Sequence, residues 1–260
     1  MDGSFENLSK EEIKEYLDEM VVRYDRPEFI ENDPISIPHR YSDPRDQEIA
    51  GLFAALFAWG NRKTIINKSL DLMERMGDAP GDFLQNAGRK DLLSLRGFVH
   101  RTFSSDDIVE TLLTLRKVTS DRTLEAIFRH HPNEVDGFGP ITRFYHLLKE
   151  NGLGPRGLRH FSNPSTGSAA KRLNMYLRWM VRRDPAGVDL GIWSSIDPSR
   201  LSCPLDVHSG KVARKLGILK RAQNDWRSVA ELDQSLRSFD PLDPVKYDFA
   251  LFGLSAMENF

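Results

Sequence analysis

An all-α fold follows from three observations on the 260-residue sequence. Apolar residues recur at helical spacing along most of its length, and no convincing series of residues alternates apolar and polar as paired strands do. Gly, Pro, Asn and Asp punctuate the periodic stretches at intervals suited to helix ends and turns. With 40% hydrophobic and 28% charged residues, the chain reads as one globular unit, 1–260, with material for a sizeable core.

The first amphipathic helix is expected over Glu11–Val22, introduced by Ser9, and the loop Asn32-Asp33-Pro34-Ile35-Ser36-Ile37-Pro38 ends it. A long helical region follows. Its run from Ile49 to Trp59 is apolar all round and is therefore expected at the centre of the core. Gly60-Asn61 marks a break before the amphipathic stretch Lys63–Met76. Residues 77–103 read as short helices joined by Gly-rich turns, and 104–117, 121–130 and 138–150 as three further helices. Asn151–Ser168 has almost no periodicity and reads as a connection to a helix over Ala169–Arg183. Helices are also expected over Val207–Lys215, Ser228–Ser238 and Pro244–Met257, the last behind the N-cap candidate Asp243.

Composition excludes several classes. Cys203 is the single cysteine, so an intramolecular disulfide, a four-cysteine zinc site and a four-cysteine iron–sulfur cluster are ruled out. No apolar run reaches the roughly 18 residues of a membrane span, and the acidic start is unlike a signal peptide. A cytoplasmic location, near the nucleoid in a bacterium, is the expectation. The net charge of −2 does not announce a nucleic-acid binder, but its distribution is uneven. Residues 1–20 hold seven acids against two lysines, whereas 167–183 hold Lys171, Arg172, Arg178, Arg182 and Arg183 with no acid. Residues 199–221 add six basic residues facing only Asp206. This places the expected basic face in the second half.

Two segments carry candidate chemistry. Gly167-Ser168-Ala169-Ala170-Lys171-Arg172-Leu173-Asn174 is a small-residue turn opening into a basic helix. The first amides of a helix lack intrahelical partners, so such a turn can hold a phosphate close to the backbone. In Cys203-Pro204-Leu205-Asp206-Val207-His208-Ser209-Gly210-Lys211, an acid stands where a helix N-cap belongs. Read singly, Lys171 is a helix-start cation, Asp206 a cap and His208 a structural residue. Asp33, His39, Asp43, Asp46 and Glu48 are metal ligands by type, but they lack a metal-ligand spacing and read mainly as caps and loop polar groups.

Together the two segments resemble the helix-hairpin-helix DNA glycosylases. That superfamily carries a Gly-x-Gly-x-Lys hairpin and, further on, an Asp-x-His run that opens a helix. Gly167, Ala169 and Lys171 fall on the first pattern, Asp206 and His208 on the second. Residues 43–76 resemble the family's early buried helix, damage-probing turn and following helix, and Lys246–Gly253 its closing helix. The wording of 167–180 is also similar to a bacterial family that itself resembles the archaeal 8-oxoguanine glycosylases. Ala169 stands where the hairpin has its second glycine. The 35-position separation of Lys171 and Asp206 is closer to the archaeal branch, and the single cysteine departs from the iron–sulfur branch.

The resemblance implies a two-lobed fold with a cleft between lobes 1–40 plus 155–260 and 41–154, and a hairpin motif around 155–183. It implies a DNA repair glycosylase with AP lyase activity that acts on double-stranded DNA and flips out an oxidised purine, expected to be 8-oxoguanine. Lys171 would attack the sugar and Asp206 would stabilise the charge developing there. Gly167, Ser168, Ala169, Arg172, His208, Lys211 and Arg214 would contact DNA, and Asn61 would fill the gap in the base stack. Trp179, Trp193, Phe144 and Tyr176 are candidates to stack on the extruded base. No metal, cofactor or obligate protein partner is implied. The alternatives are a non-catalytic helix-hairpin-helix DNA-binding or scaffold protein and an unrelated all-α enzyme or interaction module using the Asp33–Asp46 loop.

Overall fold

The computed structural model describes residues 8–257. They are mostly helical. Among them, regular β structure amounts to a two-residue hairpin, β1 (Val99–His100) antiparallel to β2 (Phe103–Ser104), with one isolated bridge between Ser168 and Asp225.

Helix α1 (Lys10–Tyr24) starts at a reciprocal cap in which the Ser9 hydroxyl accepts from Glu12 N and the Glu12 carboxylate accepts from Ser9 N. A single turn, α2 (Glu28–Glu31), and two 3-10 turns, Pro34–Ser36 and Pro38–Arg40, lead to α3 (Pro44–Phe57). The face-independent apolar run is buried from Ile49 to Phe57, as its composition requires. It ends there. Trp59, expected in the core with that run, stands 53% exposed because the chain leaves the helix after Phe57. The break at Gly60-Asn61 is present, and α4 (Arg62–Arg75) follows it.

Between residues 77 and 103 the structure has α5 (Pro80–Asn86), a 3-10 turn over Asp91–Leu95 and the β1–β2 hairpin. The expectation of short helices alone was incomplete, because two-residue strands are too short to display alternation. Next come α6 (Ser105–Val118), α7 (Leu124–Phe128), shorter than expected, and α8 (Phe138–Glu150). The connection at 151–168 contains one turn of helix, α9 (Pro155–Leu158), and a 3-10 turn at Pro164–Thr166. Helix α10 (Lys171–Val181) starts later and stops earlier than predicted, because Ala170 is left-handed and Arg182 extended. The remaining helices are α11 (Val207–Lys215), α12 (Trp226–Phe239) and α13 (Tyr247–Met257), the last preceded by a 3-10 turn at Pro244–Lys246.

Helix α10 is packed against α3, while α13 lies on α1 and α11. This burial overturns part of the charge reading. Arg178 and Arg182, counted with the basic face, are 4% and 3% exposed. Arg178 is paired with Asp189 and Asp248, and Arg182 with Asp25, Asp184, Asp189 and Asp243. Such a network fixes geometry more than it adds net stability, since every member is desolvated, but removing one partner strands a buried charge.

The four acids and the histidine of the early loop region are occupied as caps and ties. Asp33 accepts from Ile35 N, Asp43 from Arg45 N, Asp46 from Gly81 N and Glu48 from Trp193 Nε1, while His39 Nε2 bonds Val188 O. Among the described residues no three His, Cys, Asp or Glu side chains converge as a metal site, and no helix is long and apolar enough to cross a membrane.

Candidate functional site

The turn before α10 sets the site. Gly167 takes φ +91°, a left-handed conformation that glycine adopts at little cost. Ala169 has no positive φ, so its methyl group carries no backbone penalty; the left-handed residue is Ala170, at φ +47° and ψ +34°. A non-glycine residue there is held by its surroundings. Ala170 N donates to Ser168 Oγ at 3.2 Å, and Ala170 O accepts from Asn174 N at 3.0 Å. Trp226 N donates to Gly167 O at 3.0 Å and ties the turn to α12. No side chain caps α10, so its first amides retain capacity for an anion.

Lys171 is the first residue of α10, and its Nζ lies 3.5 Å from Asp206 Oδ2; the two side chains are 29% and 26% exposed. Asp206 is also the N-cap of α11. Its Oδ1 accepts from His208 N at 2.8 Å and Ser209 N at 3.1 Å, and Asp206 N donates to Ser209 Oγ at 3.0 Å. The cap and the candidate catalytic role are thus divided between two oxygens of one carboxylate. Both residues line a cavity of about 820 Å³, a size suited to a small-molecule or nucleotide site.

Asp33, Trp59, His160, Trp179, His208 and Asp248 also line that cavity. Burial pushes the Asp248 carboxyl up to about 6, against the opposing pull of Arg178 and Lys171. Burial likewise raises Asp33, and it lowers the His160 imidazole to about 4 despite neighbouring Asp107. His160 is stacked on Phe103 at 3.5 Å between centroids. Trp179 Nε1 is buried without a hydrogen-bond partner. The cavity therefore combines apolar walls with a few polar groups having perturbed protonation or unmet bonds, a pattern common at functional sites.

The other sequence candidates separate into groups. Among the four aromatics, Trp179 reaches the cavity, whereas Trp193, Phe144 and Tyr176 are core residues outside its lining. Tyr176 donates through its hydroxyl to Glu48 O and Trp193 through Nε1 to Glu48 Oε1. Arg172 lines the cavity, but its guanidinium donates to Leu56 O at 2.5 Å and His160 O at 3.1 Å. It closes the end of α3. Arg214 similarly donates to Arg221 O, Gln223 O and Asn224 Oδ1, so it organises the loop after α11. Lys211 is exposed, and His208 Nδ1 contacts Ser255 Oγ at 3.2 Å.

Asn61 caps α4 through Oδ1, which accepts from Thr64 N at 3.1 Å, and it is absent from the cavity lining. Two residues away, Trp59 stands on the lining with the Arg101 guanidinium 4.7 Å from its ring centroid. Sequence reasoning missed Trp59 because the neighbouring run is apolar. It also gave no role to Asp248, although an acid beside Phe249-Ala250-Leu251-Phe252 was a usable signal: buried carboxyls require a partner.

The chain was compared with known proteins. No curated protein and no solved structure matches it. A family model described as "Protein of unknown function (DUF2400)" matches residues 33–257, which include the whole Lys171–Asp206 region. With most of its length inside that match, the chain belongs to the DUF2400 family.

Proposed function

We propose that this protein is a DNA glycosylase with AP lyase activity, built on a two-lobed helix-hairpin-helix fold, that removes an oxidised purine through Lys171. The observation that carries the reading is the 3.5 Å approach of Lys171 Nζ to Asp206 Oδ2 on one cavity. Positions 35 apart in sequence meet there, each at the first turn or cap of its helix. The uncapped start of α10 supports contact with a DNA phosphate.

In the proposed reaction, Asp206 Oδ2 accepts a proton from the lysine ammonium, and the Nζ lone pair attacks the sugar C1′. The glycosidic bond breaks and its electron pair leaves with the base, which takes up the proton that Asp206 accepted, so that the carboxylate is charged again. Loss of the second Nζ proton and opening of the sugar ring give the Schiff base. Removal of a C2′ proton then expels the 3′ phosphate and nicks the strand. Asp206, anchored by its other oxygen to α11, faces the positive charge that develops on the sugar. Trp59, half-exposed on the lining, supplies aromatic surface for the displaced base or the gap it leaves.

Borohydride trapping on duplex oligonucleotides containing 8-oxoguanine tests this reading. The expected result is a covalent adduct that Lys171→Gln abolishes while DNA affinity persists. Trapping that is unchanged in Lys171→Gln removes the lysine from the nucleophile role. Tight DNA binding with no adduct on any oxidised-base substrate favours the non-catalytic DNA-binding alternative.

A further inference from the structure

Most of the arginines on α10 and α11 are already spent. Arg178 and Arg182 pair with buried carboxylates, Arg172 holds the Leu56 and His160 carbonyls, and Arg214 holds the loop after α11. Unspent charge collects on another part of the rim of the Lys171 cavity, supplied by α4, the β1–β2 hairpin and the segment after α9. Arg62 and Arg159 line the cavity, and Arg101 lies on the ring of Trp59, which also lines it. Among the described residues, Arg62 and Arg101 make no hydrogen bond or ion pair, and Arg159 makes one long bond, from Nε to Arg156 O at 3.5 Å. The lining acids are committed elsewhere: Asp33 accepts from Ile35 N, Asp206 faces Lys171 and Asp248 pairs with Arg178.

The local structure that presents these arginines departs from what stability alone favours. The first turn of α4 holds Arg62 and Lys63 and no acid, although the helix dipole disfavours cations there. Arg101 takes φ +53°, a left-handed conformation that strains a side-chain-bearing residue. Its guanidinium lies 4.7 Å from the Trp59 ring centroid and crosses Gly60, where a Cβ would overlap it. The Arg62 guanidinium lies 5.2 Å from the ring centroid of Phe252. Stacking orients both guanidinium groups and leaves their N–H donors free. Exposed Trp59, left-handed Arg101 and the cationic start of α4 thus break local rules around one cavity mouth, as functional surfaces do.

We propose that Arg62, Arg101 and Arg159 are the principal backbone contacts of this protein on duplex DNA, gripping phosphates around the mouth while Trp59 faces the cavity. The proposal rests on the DNA-binding part of the reading above and not on the chemistry of Lys171. Successive phosphates along a strand can each meet a different arginine, so the three groups need not converge on one anion. The electrostatic grip is thereby placed away from Lys211 and Arg214, the contacts expected from sequence.

Fluorescence anisotropy of the full chain on an undamaged duplex, at about 50 to 300 mM salt, tests the proposal. Each lost phosphate contact makes the dependence of log affinity on log salt shallower by about 0.9. The Arg62→Gln/Arg101→Gln/Arg159→Gln variant should therefore have a slope shallower by about 2–3 and bind about tenfold or more weakly at the lower salt. Lys211→Gln should change the slope by about 1 at most. Circular dichroism and melting temperature verify the fold; should the triple variant unfold, Arg101→Gln/Arg159→Gln, which alters two exposed side chains, decides with an expected change of about 1–2. An unaltered slope in the folded variant, a larger change in Lys211→Gln, or no duplex binding by wild type overturns the proposal. Borohydride trapping separates the two readings: a normal adduct with an unaltered slope overturns the rim and leaves the glycosylase, whereas the expected slope change with no adduct does the reverse.

Discussion

Asp206 offers a test that separates its two oxygens. Asp206→Asn keeps the Oδ1 acceptor, which bonds His208 N and Ser209 N, and replaces the oxygen facing Lys171 with an uncharged amide. Asn and Asp are nearly equivalent N-caps, whereas Ala costs about 1 kcal/mol. For a chain of this length that corresponds to a fall of about 2–4 °C in melting temperature. Asp206→Asn should therefore melt close to wild type while its single-turnover rate on an 8-oxoguanine duplex falls about 100- to 1000-fold, the scale for losing one group that stabilises transition-state charge. Asp206→Ala should show the same loss of rate and the lower melting temperature. Thermal unfolding and rapid-quench kinetics on the three proteins give both quantities. A fully active Asp206→Asn would refute the role of Oδ2 and leave Asp206 as a cap.

Three further perturbations bear on the assignments. Trp59→Ala should leave the melting temperature nearly unchanged and weaken binding to damaged duplex about tenfold, the cost of one lost stacking contact; Asn61→Ala should instead destabilise the protein by about 1 kcal/mol, and the reverse pattern would restore Asn61 as the inserted residue. Arg172→Met should lower stability by about 2–3 kcal/mol, because it strips the Leu56 and His160 carbonyls of a charged donor; DNA affinity lost at constant stability would make Arg172 a phosphate ligand. Asp233 is fully buried, accepts from Cys203 N, and burial raises its carboxyl to about 7. The native state therefore binds more protons than the unfolded state between pH 4 and 7, and this group's contribution to stability is lost as pH rises through about 7. Denaturant titrations at pH 5 and pH 8 should show a smaller decline for Asp233→Asn than for wild type, by on the order of a few kcal/mol; parallel pH profiles would reject the burial argument.

The sequence made local features legible and long-range ones much less so. Ser9, Asp206 and the Ile49–Phe57 run announced their helices because capping and periodicity are properties of neighbours in sequence. The sign of a charge does not disclose its burial. Arg178 and Arg182 were placed with the basic surface, since their carboxylate partners arrive from as far as Asp25, Asp243 and Asp248. Core and cavity aromatics were equally hard to separate: Trp179 and Tyr176 share α10, and only the packing around the helix decides which one reaches the cavity. Lys171 and Asp206 were found through a motif resemblance, and their separation of 3.5 Å is a tertiary fact.

The left-handed Ala170 has an implication for variation at this position. The residue is 1% exposed, so its side chain must be small, while its backbone angles disfavour branching at Cβ. Glycine satisfies both demands and adds freedom to the unfolded chain; valine and isoleucine satisfy neither. The vocabulary permitted one residue before Lys171 is consequently short, and it is set by the direction in which the chain must turn to begin α10. Orientation of the amine is inherited from backbone geometry.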